Sequence, residues 1–393
     1  MLAKFFSKKR VLITGHTGFK GSWLAQMLVS MGADVSGFAL EPNTDPNLYS
    51  LLSLDSRLSS RIADIRHYGD VLSVIEEEKP EIVFHLAAQP LVRASYDDPR
   101  YTFETNAMGT VNVLEAIRRT SCVRSAVLIT TDKVYENKED GKPFAEGDAL
   151  GGHDPYSASK AAGEIAISSY IRSFFNPSPG GEKPSRPGAG EKPVASGSAA
   201  RAARPLAASP GLGGKGAASG AVPSLPLIAS ARAGNVIGGG DWSADRLVPD
   251  IIRAKASGQA LVLRNPSSIR PWQHVLDPLY GYLLLAKGLG GGDRPLVGAY
   301  NFAPDESKPI TVEQIARKAG VKYSVQPDGK KHEAGTLMLD AGKARKMLGW
   351  KPRLDLDESL QLTFEWYSRH AAGEDMLKFT QKQIDDYLRK AEK

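Results

Sequence analysis

The feature that most constrains the fold is a glycine-rich turn between an apolar strand and a helix near the N-terminus. Residues 11–24 read VLITGHTGFKGSWL, in which a strand predicted over 10–14 runs into Gly15, Gly18 and Gly21. Glycines permit a tight turn and close backbone approach, and the following helix N-terminus offers N–H groups and partial positive charge. The pattern predicts that a dinucleotide pyrophosphate binds at this turn. The alternative is a glycine-rich turn without a ligand.

Strand-like and helix-like segments alternate after this turn. Strands are predicted over 10–14, 33–38, 60–64, 82–86, 126–131 and 226–233, and helices over 19–31, 67–79, 99–119 and 157–174. This alternation predicts an α/β fold with a Rossmann-like doubly wound parallel sheet. We expect residues 1–175 and 226–240 to form this dinucleotide-binding domain, and residues 241–393 to form mainly a smaller C-terminal substrate-binding domain.

Composition limits the classes of protein to which the chain can belong. Its 41% apolar and 24% charged residues are ordinary for a soluble globular protein. The single cysteine excludes a disulfide framework, and the histidines show no metal-ligand spacing. The N-terminus lacks the apolar region of a signal peptide, and no apolar run approaches the ~18 residues of a membrane span. We therefore expect a cytoplasmic protein with no metal and no membrane association.

The net charge of +6 is concentrated in one segment. Residues 176–227 carry six basic and two acidic side chains, so the rest of the chain is close to neutral, which argues against nucleic-acid binding. The same segment holds 10 glycines and 9 prolines in 52 residues and no aromatic residue. Such a composition buries too little apolar surface to offset its ordering entropy. Residues 176–225 are therefore predicted to be a low-complexity, disordered insertion; the functional alternative is a lid or a partner-binding tail.

The candidate catalytic pair lies in the stretch PYSASKAAGE at 155–164. Tyr156 and Lys160 are four residues apart on a predicted helix and therefore share one face. A nearby ammonium favours the phenolate, so Lys160 is expected to lower the pKa of Tyr156 from its usual value of about 10. Tyr156 would then take the proton of a substrate hydroxyl while hydride leaves the same carbon.

The G-x-x-G-x-x-G spacing followed by Y-x-x-x-K resembles the short-chain dehydrogenase/reductase superfamily. The resemblance implies that Thr131, at the end of the strand over 126–131, hydrogen-bonds the reacting hydroxyl, and that Tyr156 and Lys160 also contact the cofactor. It implies further cofactor contacts in the glycine loop and after the third and fourth strands: Gly15, Thr17, Gly18, Phe19, Lys20 and Gly21; Asp64 and Ile65 near the adenine; and Leu86, Ala87 and Ala88 near the nicotinamide.

The choice between NAD and NADP depends on the end of the second strand. A ribose-binding carboxylate is expected there, and the region reads GFALEPNTD with Glu41 nearby. No arginine follows to take a 2′-phosphate, although Lys20 in the glycine loop is an alternative partner for one. We favour NAD as the cofactor.

Three polar residues, Thr131, Asp132 and Lys133, end the strand ahead of the Y-x-x-x-K helix. Beside the hydroxyl group that this superfamily oxidises, a charged acid–base pair implies proton chemistry on a neighbouring carbon. The pattern resembles the nucleotide-sugar 4,6-dehydratases, and Thr-Asp-Lys followed by VYEN resembles those that act on CDP-glucose. The resemblance implies that Asp132 is the general acid toward the C6 hydroxyl. Lys133 is then either the base at C5, with a pKa lowered by its surroundings, or a cation that stabilises the enolate.

Other stretches carry the same resemblance over nearly the whole chain except 176–227. They are GHTGFKGSWL, HLAAQPLVRASY, TNAMGTVNVLEAIR, ARAGNVIGGGDW and RPWQHVLDPLYGYLLLA. The implied activity is a lyase reaction with recycled NAD in deoxysugar synthesis, such as that of lipopolysaccharide O-antigen. The reaction would convert CDP-glucose to CDP-4-keto-6-deoxyglucose. The protein is expected to form a homo-oligomer, either a dimer or a tetramer. The alternatives are a dehydratase or 4-epimerase for a dTDP-, UDP- or GDP-linked sugar, and a non-catalytic NAD-binding regulator.

Candidate substrate contacts are amides and arginines near the predicted strand ends. Guanidinium groups match phosphate oxygens in bidentate fashion, which favours arginine for the diphosphate. Among the arginines, Arg270 in SIRPWQHV is preferred. The full set is Gln89, Asn106, Asn235, Arg246, Arg264 and Arg270.

The insertion yields a first prediction. Replacing residues 178–224 by a short Gly/Ser linker should leave kcat/KM within a few-fold. The segment connects a predicted helix to a predicted strand, so it is expected at the amino edge of the sheet, away from the carboxyl ends where ligands bind. Steady-state kinetics of the shortened and full-length proteins would measure this. A large loss of activity in a well-folded shortened protein would show that the segment takes part in function.

Overall fold

The computed structural model describes residues 1–176, 225–305, 310–327 and 334–392. The predicted low-complexity insertion falls, from 177 to 224, outside the described residues. No helix within the described ranges is long and apolar enough to cross a membrane.

The strands and helices follow one another along the chain as the sequence pattern predicts. The strands are β1 Arg10–Thr14, β2 Asp34–Ala39, β3 Ser59–Ile62, β4 Ile82–His85, β5 Ser125–Ile129, β6 Leu227–Ala233, β7 Val236–Ile237, β8 Leu261–Leu263, β9 Gln273–His274, β10 Gly298–Phe302 and β11 Tyr323–Val325. The helices are α1 Leu2–Phe6, α2 Phe19–Ser30, α3 Leu48–Leu51, α4 Tyr68–Glu78, α5 Val92–Asp97, α6 Pro99–Phe103, α7 Gly109–Arg119, α8 Pro155–Tyr170, α9 Leu247–Ser257, α10 Leu276–Gly290, α11 Val312–Lys318, α12 Gly342–Leu348, α13 Leu356–Ala371 and α14 Met376–Ala391.

Seven parallel strands form the central sheet in the order β10-β6-β5-β4-β1-β2-β3. Strands β4, β5 and β6 are buried along their whole length, because helices cover both faces of the sheet. The strand order reverses beside β1, so the crevice at the carboxyl ends of β1 and β4 is where a ligand is expected. This confirms the predicted Rossmann-like α/β fold.

Strand β10, at one edge of the central sheet, departs from the predicted division of the chain. β10 pairs in parallel with β6, with Tyr300 opposite Ala231, although its sequence lies beyond the boundary set at 240. Two further pairs of short strands, β7 with β9 and β8 with β11, lie outside the central sheet. One apolar core runs continuously from Leu2 through Trp366 to Ala391, while a second core fills the opposite face of the sheet. The C-terminal segment therefore completes the first core.

Two elements near the crevice differ from their predicted shape. The strand predicted to reach 131 ends at Ile129, and Thr131 caps a 3₁₀ turn over Asp132–Val134. The helix predicted over 99–119 is interrupted by a π-helical turn at Glu104–Met108. Such turns are often found at functional sites.

Helix α8 begins where its sequence dictates. Asp154 accepts a hydrogen bond from the backbone N–H of Ser157 at 2.9 Å, and Pro155 occupies the first helical position. This is the usual arrangement of a capping carboxylate followed by proline. Tyr156 is thereby held one residue inside the helix, at the carboxyl edge of the sheet.

A buried ion pair joins α8 to the sheet. Glu164 accepts from Nε and Nη2 of Arg232, at 3.0 and 2.8 Å, and both side chains are almost fully buried. The same carboxylate accepts from Thr130 at 2.5 Å and from Ser230 at 2.8 Å, while Arg232 donates to the Tyr135 hydroxyl at 2.7 Å. The pair therefore fixes α8 against β6 and against the segment that follows β5.

Removing one partner of this pair should destabilise the protein strongly. Glu164→Ala leaves the Arg232 guanidinium buried without its counter-ion, and we expect a loss of about 3–5 kcal/mol in the free energy of unfolding in urea. Asp386→Ala, which breaks exposed pairs with Lys382 and Arg389, should cost less than about 1 kcal/mol. Equal small losses for both variants would contradict the structural role given to the buried pair.

Candidate active site

The glycine loop is shaped by contacts that leave no room for side chains. Gly15 has a φ of +78°, in the left-handed region that favours glycine, and a Cβ on it would lie 2.7 Å from the Ala87 nitrogen. A Cβ on Gly21 would overlap the carbonyl oxygen of Gly15. Gly18 precedes α2 and offers no capping side chain, so the first N–H groups of the helix face the crevice unsatisfied by a cap. These residues fit a bound pyrophosphate.

The segments predicted to flank a dinucleotide lie beside this loop. Ala87 donates its N–H to Thr14 at 3.2 Å, which places the Leu86–Ala88 segment against Gly15. Asp64 is bound to Arg66 through the guanidinium at 2.6 and 2.9 Å and through the backbone N–H at 2.9 Å. Ile65 is buried.

At the end of β2, the Thr17 hydroxyl donates to the Leu40 carbonyl at 2.8 Å, and Glu41 is exposed. The carboxylate of Glu41 is therefore exposed near the end of β2, where a ribose hydroxyl would bind. The location of Lys20 is different: it lies near Asp132 and Lys160 rather than near Glu41.

Tyr156 and Lys160 are both buried at the carboxyl edge of the sheet. Burial raises the pKa of Tyr156 to about 12, and a hydrogen bond with Thr131 opposes that rise. Burial lowers the pKa of Lys160 to about 7, and the charge of Lys20 adds to the effect. The expectation that Lys160 lowers the pKa of Tyr156 is thus wrong for the protein without ligands, because the loss of hydration outweighs neighbouring charges.

Thr131, Asp132 and Lys133 form a compact turn beside the tyrosine. The Thr131 hydroxyl donates to Asp132 Oδ1 at 2.9 Å and accepts from the Lys133 backbone N–H at 3.5 Å. Asp132 is 2% exposed, and its Oδ2 has no hydrogen-bond partner among the described residues. A buried carboxylate oxygen without a protein partner is available to form a hydrogen bond with a ligand hydroxyl.

A cavity of about 500 Å³ opens over this turn. It brings together most of the residues predicted for chemistry and substrate binding, from four separate parts of the chain. Those that line it are Lys20, Thr131, Asp132, Lys133, Tyr156, Asn235, Arg246, Arg264 and Arg270. Its volume suits a ligand the size of a nucleotide-sugar.

The three arginines of the cavity are held by different partners. Arg246 donates to Asp241 at 2.8 Å and Arg264 donates to Asp245 at 2.7 Å. Arg270 is buried and donates to the carbonyls of Ile269 and Gly335, at 2.9 and 3.2 Å. Arg246 and Arg264 remain partly exposed to the cavity, which gives them more freedom than Arg270 to meet a diphosphate.

Gln89 and Asn106 do not line the cavity, in contrast to their prediction as substrate contacts. The Asn106 amide accepts from the Gln89 backbone N–H at 2.9 Å and donates to Ser159 at 2.9 Å. The Gln89 amide donates to Thr102 at 3.0 Å and accepts from the Leu91 N–H at 2.6 Å. Both side chains are therefore engaged in joining the loop after β4 to α8, and their geometry favours positioning over ligand contact.

Sequence reasoning missed two residues of this region. Ser95 accepts the backbone N–H of Tyr156 at 3.1 Å and so anchors the start of α8. Arg93 lines the cavity and lies 3.6 Å from Asp245. Both belong to LVRASY, part of a stretch that carries the family resemblance.

Comparisons with known proteins give a consistent set of similarities. The family described as GDP-mannose 4,6 dehydratase matches residues 12–177. The CDP-glucose 4,6-dehydratase of Salmonella typhimurium is 42% identical over 390 residues, covering 98% of this chain and 97% of that protein. The dTDP-glucose 4,6-dehydratase of the same organism is 24% identical, covering 91% of this chain and 92% of that protein.

Solved structures share the fold at lower identity. DesIV, a dTDP-glucose 4,6-dehydratase of Streptomyces venezuelae solved as a double mutant with NAD bound, has a TM-score of 0.69 and 21% identity, covering 94% of this chain and 99% of that one. The UDP-glucose 4-epimerase of Thermotoga maritima has a TM-score of 0.69 and 19% identity, covering 92% of this chain and 99% of that one.

Proposed function

This chain belongs to the family of CDP-glucose 4,6-dehydratases, and we propose that it is a lyase that converts CDP-glucose to CDP-4-keto-6-deoxyglucose. The observation that carries the proposal is the meeting of Asp132 and Lys133 with Thr131 and Tyr156 in one cavity. A hydroxyl–tyrosine pair alone suits oxidation of an alcohol. An added carboxylate and amine suit the removal of water from the ketone that oxidation produces.

The cofactor of the proposed reaction is NAD, which accepts a hydride from C4 and returns it to C6. Gly15, Gly18 and Gly21 would hold its pyrophosphate, with Lys160 beside the nicotinamide end. The shape of the loop supports this assignment. A side chain at Gly15 or Gly21 would overlap neighbouring backbone atoms, so the glycines permit the tight turn that brings a pyrophosphate to the N-terminus of α2.

In the proposed oxidation step, the phenolate of Tyr156 takes the proton of the C4 hydroxyl while Thr131 orients that hydroxyl. Both side chains line the same cavity. The positive charge of a bound oxidised nicotinamide would favour this phenolate and oppose the rise that burial gives to the pKa of Tyr156. The ketone formed at C4 acidifies the proton on C5.

In the proposed elimination step, Lys133 removes the C5 proton and Asp132 gives a proton to the departing C6 hydroxyl. The unpartnered Oδ2 of Asp132 supports this assignment, because an oxygen buried without a protein partner is available to the sugar. Hydride return from the bound cofactor to C6 would then complete the product together with protonation of C5 by Lys133. That protonation restores Lys133, and the proton that Tyr156 took from the C4 hydroxyl replaces the one that Asp132 gave to the water.

The substrate diphosphate is assigned to Arg246 and Arg264, whose guanidinium groups lie partly exposed on the cavity wall. Asn235, between β6 and β7, lies on the same wall. The cytosine base follows from the similarity to the Salmonella typhimurium enzyme, and incubation with CDP-, dTDP-, UDP- and GDP-glucose with NMR detection of products tests it. A homo-oligomer and a cytoplasmic location stay predictions.

The recycling of hydride gives a prediction about isotope labels. With CDP-glucose deuterated at C4, the label should appear at C6 of the product, and solvent hydrogen should appear at C5. NMR of the product measures both positions. Loss of the C4 label to solvent or to free NADH would contradict an internal transfer.

Lys133 gives a second prediction. Lys133→Ala should still bind NAD and oxidise C4, because Thr131, Tyr156 and Lys160 are unchanged. Removal of a general base typically slows a reaction by roughly 10²–10⁴-fold, so enzyme-bound NADH should accumulate while product forms slowly. Single-turnover absorbance of the bound nicotinamide reports the first step, and NMR the second.

Two further variants complete the comparison. Lys133→Glu should recover part of the activity, since a carboxylate can also remove the proton. Lys138→Ala, at an exposed lysine of the same segment that does not line the cavity, should behave as the wild type. If Lys133→Ala lost hydride transfer and elimination equally, the assignment of Lys133 to the second step would be wrong.

A further inference from the structure

Lys20 lies in the cavity although it belongs to the glycine loop. It is the second residue of α2, and it lines the same cavity as Asp132 and Tyr156. Within the described part of the chain, its ammonium makes no hydrogen bond or ion pair, whereas Arg246 and Arg264 on the same wall each have a carboxylate partner. A cation that lines a cavity without a protein partner is available to a ligand.

The charges around Lys20 define which part of the cavity it occupies. Burial lowers the pKa of Lys20 to about 8; the charge of Arg246 adds to this shift, and the charge of Asp132 opposes it. Lys20 is in turn the charged neighbour that lowers the pKa of Lys160. The ammonium therefore lies among Asp132, Lys160 and Arg246, at the catalytic end.

This location separates Lys20 from the end of β2. A 2′-phosphate of NADP would lie near Leu40 and Glu41, where the Thr17 side chain points. Lys20 is grouped instead with the side chains assigned to the sugar. The sequence-based alternative, in which Lys20 selects NADP, is therefore not favoured by the structure.

The elimination step creates a need for positive charge at this place. When Lys133 takes the C5 proton, the C–H electron pair is held as the enolate of the C4 ketone. The return of this electron pair forms the C5–C6 double bond and breaks the C6–O bond. The electron pair of that bond stays on oxygen, which takes the proton of the Asp132 carboxyl group and leaves as water. Negative charge grows on the departing oxygen before the proton arrives, and a positioned ammonium stabilises such charge in a site that excludes water.

We propose that Lys20 is a further catalytic residue, whose ammonium donates a hydrogen bond to the departing C6 oxygen beside Asp132. This inference rests on the proposed dehydratase function and deepens it. Lys20 supplies charge stabilisation and no net proton, so the proton count of the reaction is unchanged: Asp132 protonates the water, and Lys133 returns its proton to C5.

The test uses Lys20→Met in the full-length protein, because methionine keeps the length and the apolar stem of lysine. Loss of one such donor typically costs roughly 10²–10³-fold in rate. We expect product formation to fall by about that factor, while hydride transfer from C4 changes less than about tenfold and bound NADH accumulates. In deuterated water, deuterium should still enter C5 of the bound 4-keto sugar, because Lys133 is intact.

Two variants serve as controls for this test. Lys20→Arg should recover part of the elimination rate, since guanidinium also donates to oxygen. Lys133→Ala should likewise accumulate NADH but should lose deuterium entry at C5, which distinguishes the base from the group that assists the leaving oxygen. Lys318→Met, at an exposed lysine paired with Asp357 far along the chain, should behave as the wild type.

Binding measurements identify the part of the ligand that Lys20 contacts. Calorimetric affinities of Lys20→Met for NAD and for CDP, which lacks the sugar, should remain within about twofold of wild type. A weakened affinity for NAD would assign Lys20 to the cofactor phosphates, and a weakened affinity for CDP would assign it to the substrate diphosphate. Either result overturns the proposal, as does unchanged product formation. Wild-type protein that forms no dehydrated product from CDP-glucose would instead refute the proposed function itself.

Discussion

The arrangement of the site depends on the buried ion pair between Glu164 and Arg232. Tyr156, Lys160 and Glu164 are spaced four apart along α8 and therefore form one stripe on the helix. Glu164 fixes that stripe against β6 through Arg232, and against the end of β5 through Thr130. Because Thr130 directly precedes Thr131, the same carboxylate sets the distance between the tyrosine and its hydroxyl partner.

A buried ion pair of this kind fixes the positions of the elements it joins more than it increases the free energy of unfolding. Its charges lose hydration on burial, so the net gain is small, whereas a single unpaired charge left behind is costly. The pair is satisfied on every side: Glu164 has four donors, and Arg232 also reaches the Tyr135 hydroxyl, which in turn donates to Asn301 on β10. The catalytic edge of the sheet is thus connected to β10, and the C-terminal segment contributes to the rigidity of the site.

The cavity shows two ways of holding a cation before a ligand arrives. Arg246 and Arg264 are paired with carboxylates, so a diphosphate has to compete with Asp241 and Asp245 for them. Lys20 has no such partner among the described residues and lies near Asp132. The paired arginines suit a diphosphate, whose charge is present throughout the reaction. The unpaired Lys20 suits the negative charge that develops on the departing oxygen only during the reaction.

The sequence by itself determined the features that depend on short separations along the chain. The glycine spacing, the pairing of Tyr156 with Lys160 on one helix face and the adjacency of Thr131, Asp132 and Lys133 are fixed by covalent geometry and helical period, and the alternation of strands and helices indicated the parallel sheet.

Tertiary structure decided whatever depends on partners distant in sequence. It turned the amides of Gln89 and Asn106 toward the protein, because Thr102 and Ser159 lie within hydrogen-bond reach only after folding. It raised the pKa of Tyr156 through burial, where the local sequence shows only the nearby lysine. It also placed Lys20 beside Asp132, because the crevice between β1 and β5 brings two loops together that are more than a hundred residues apart.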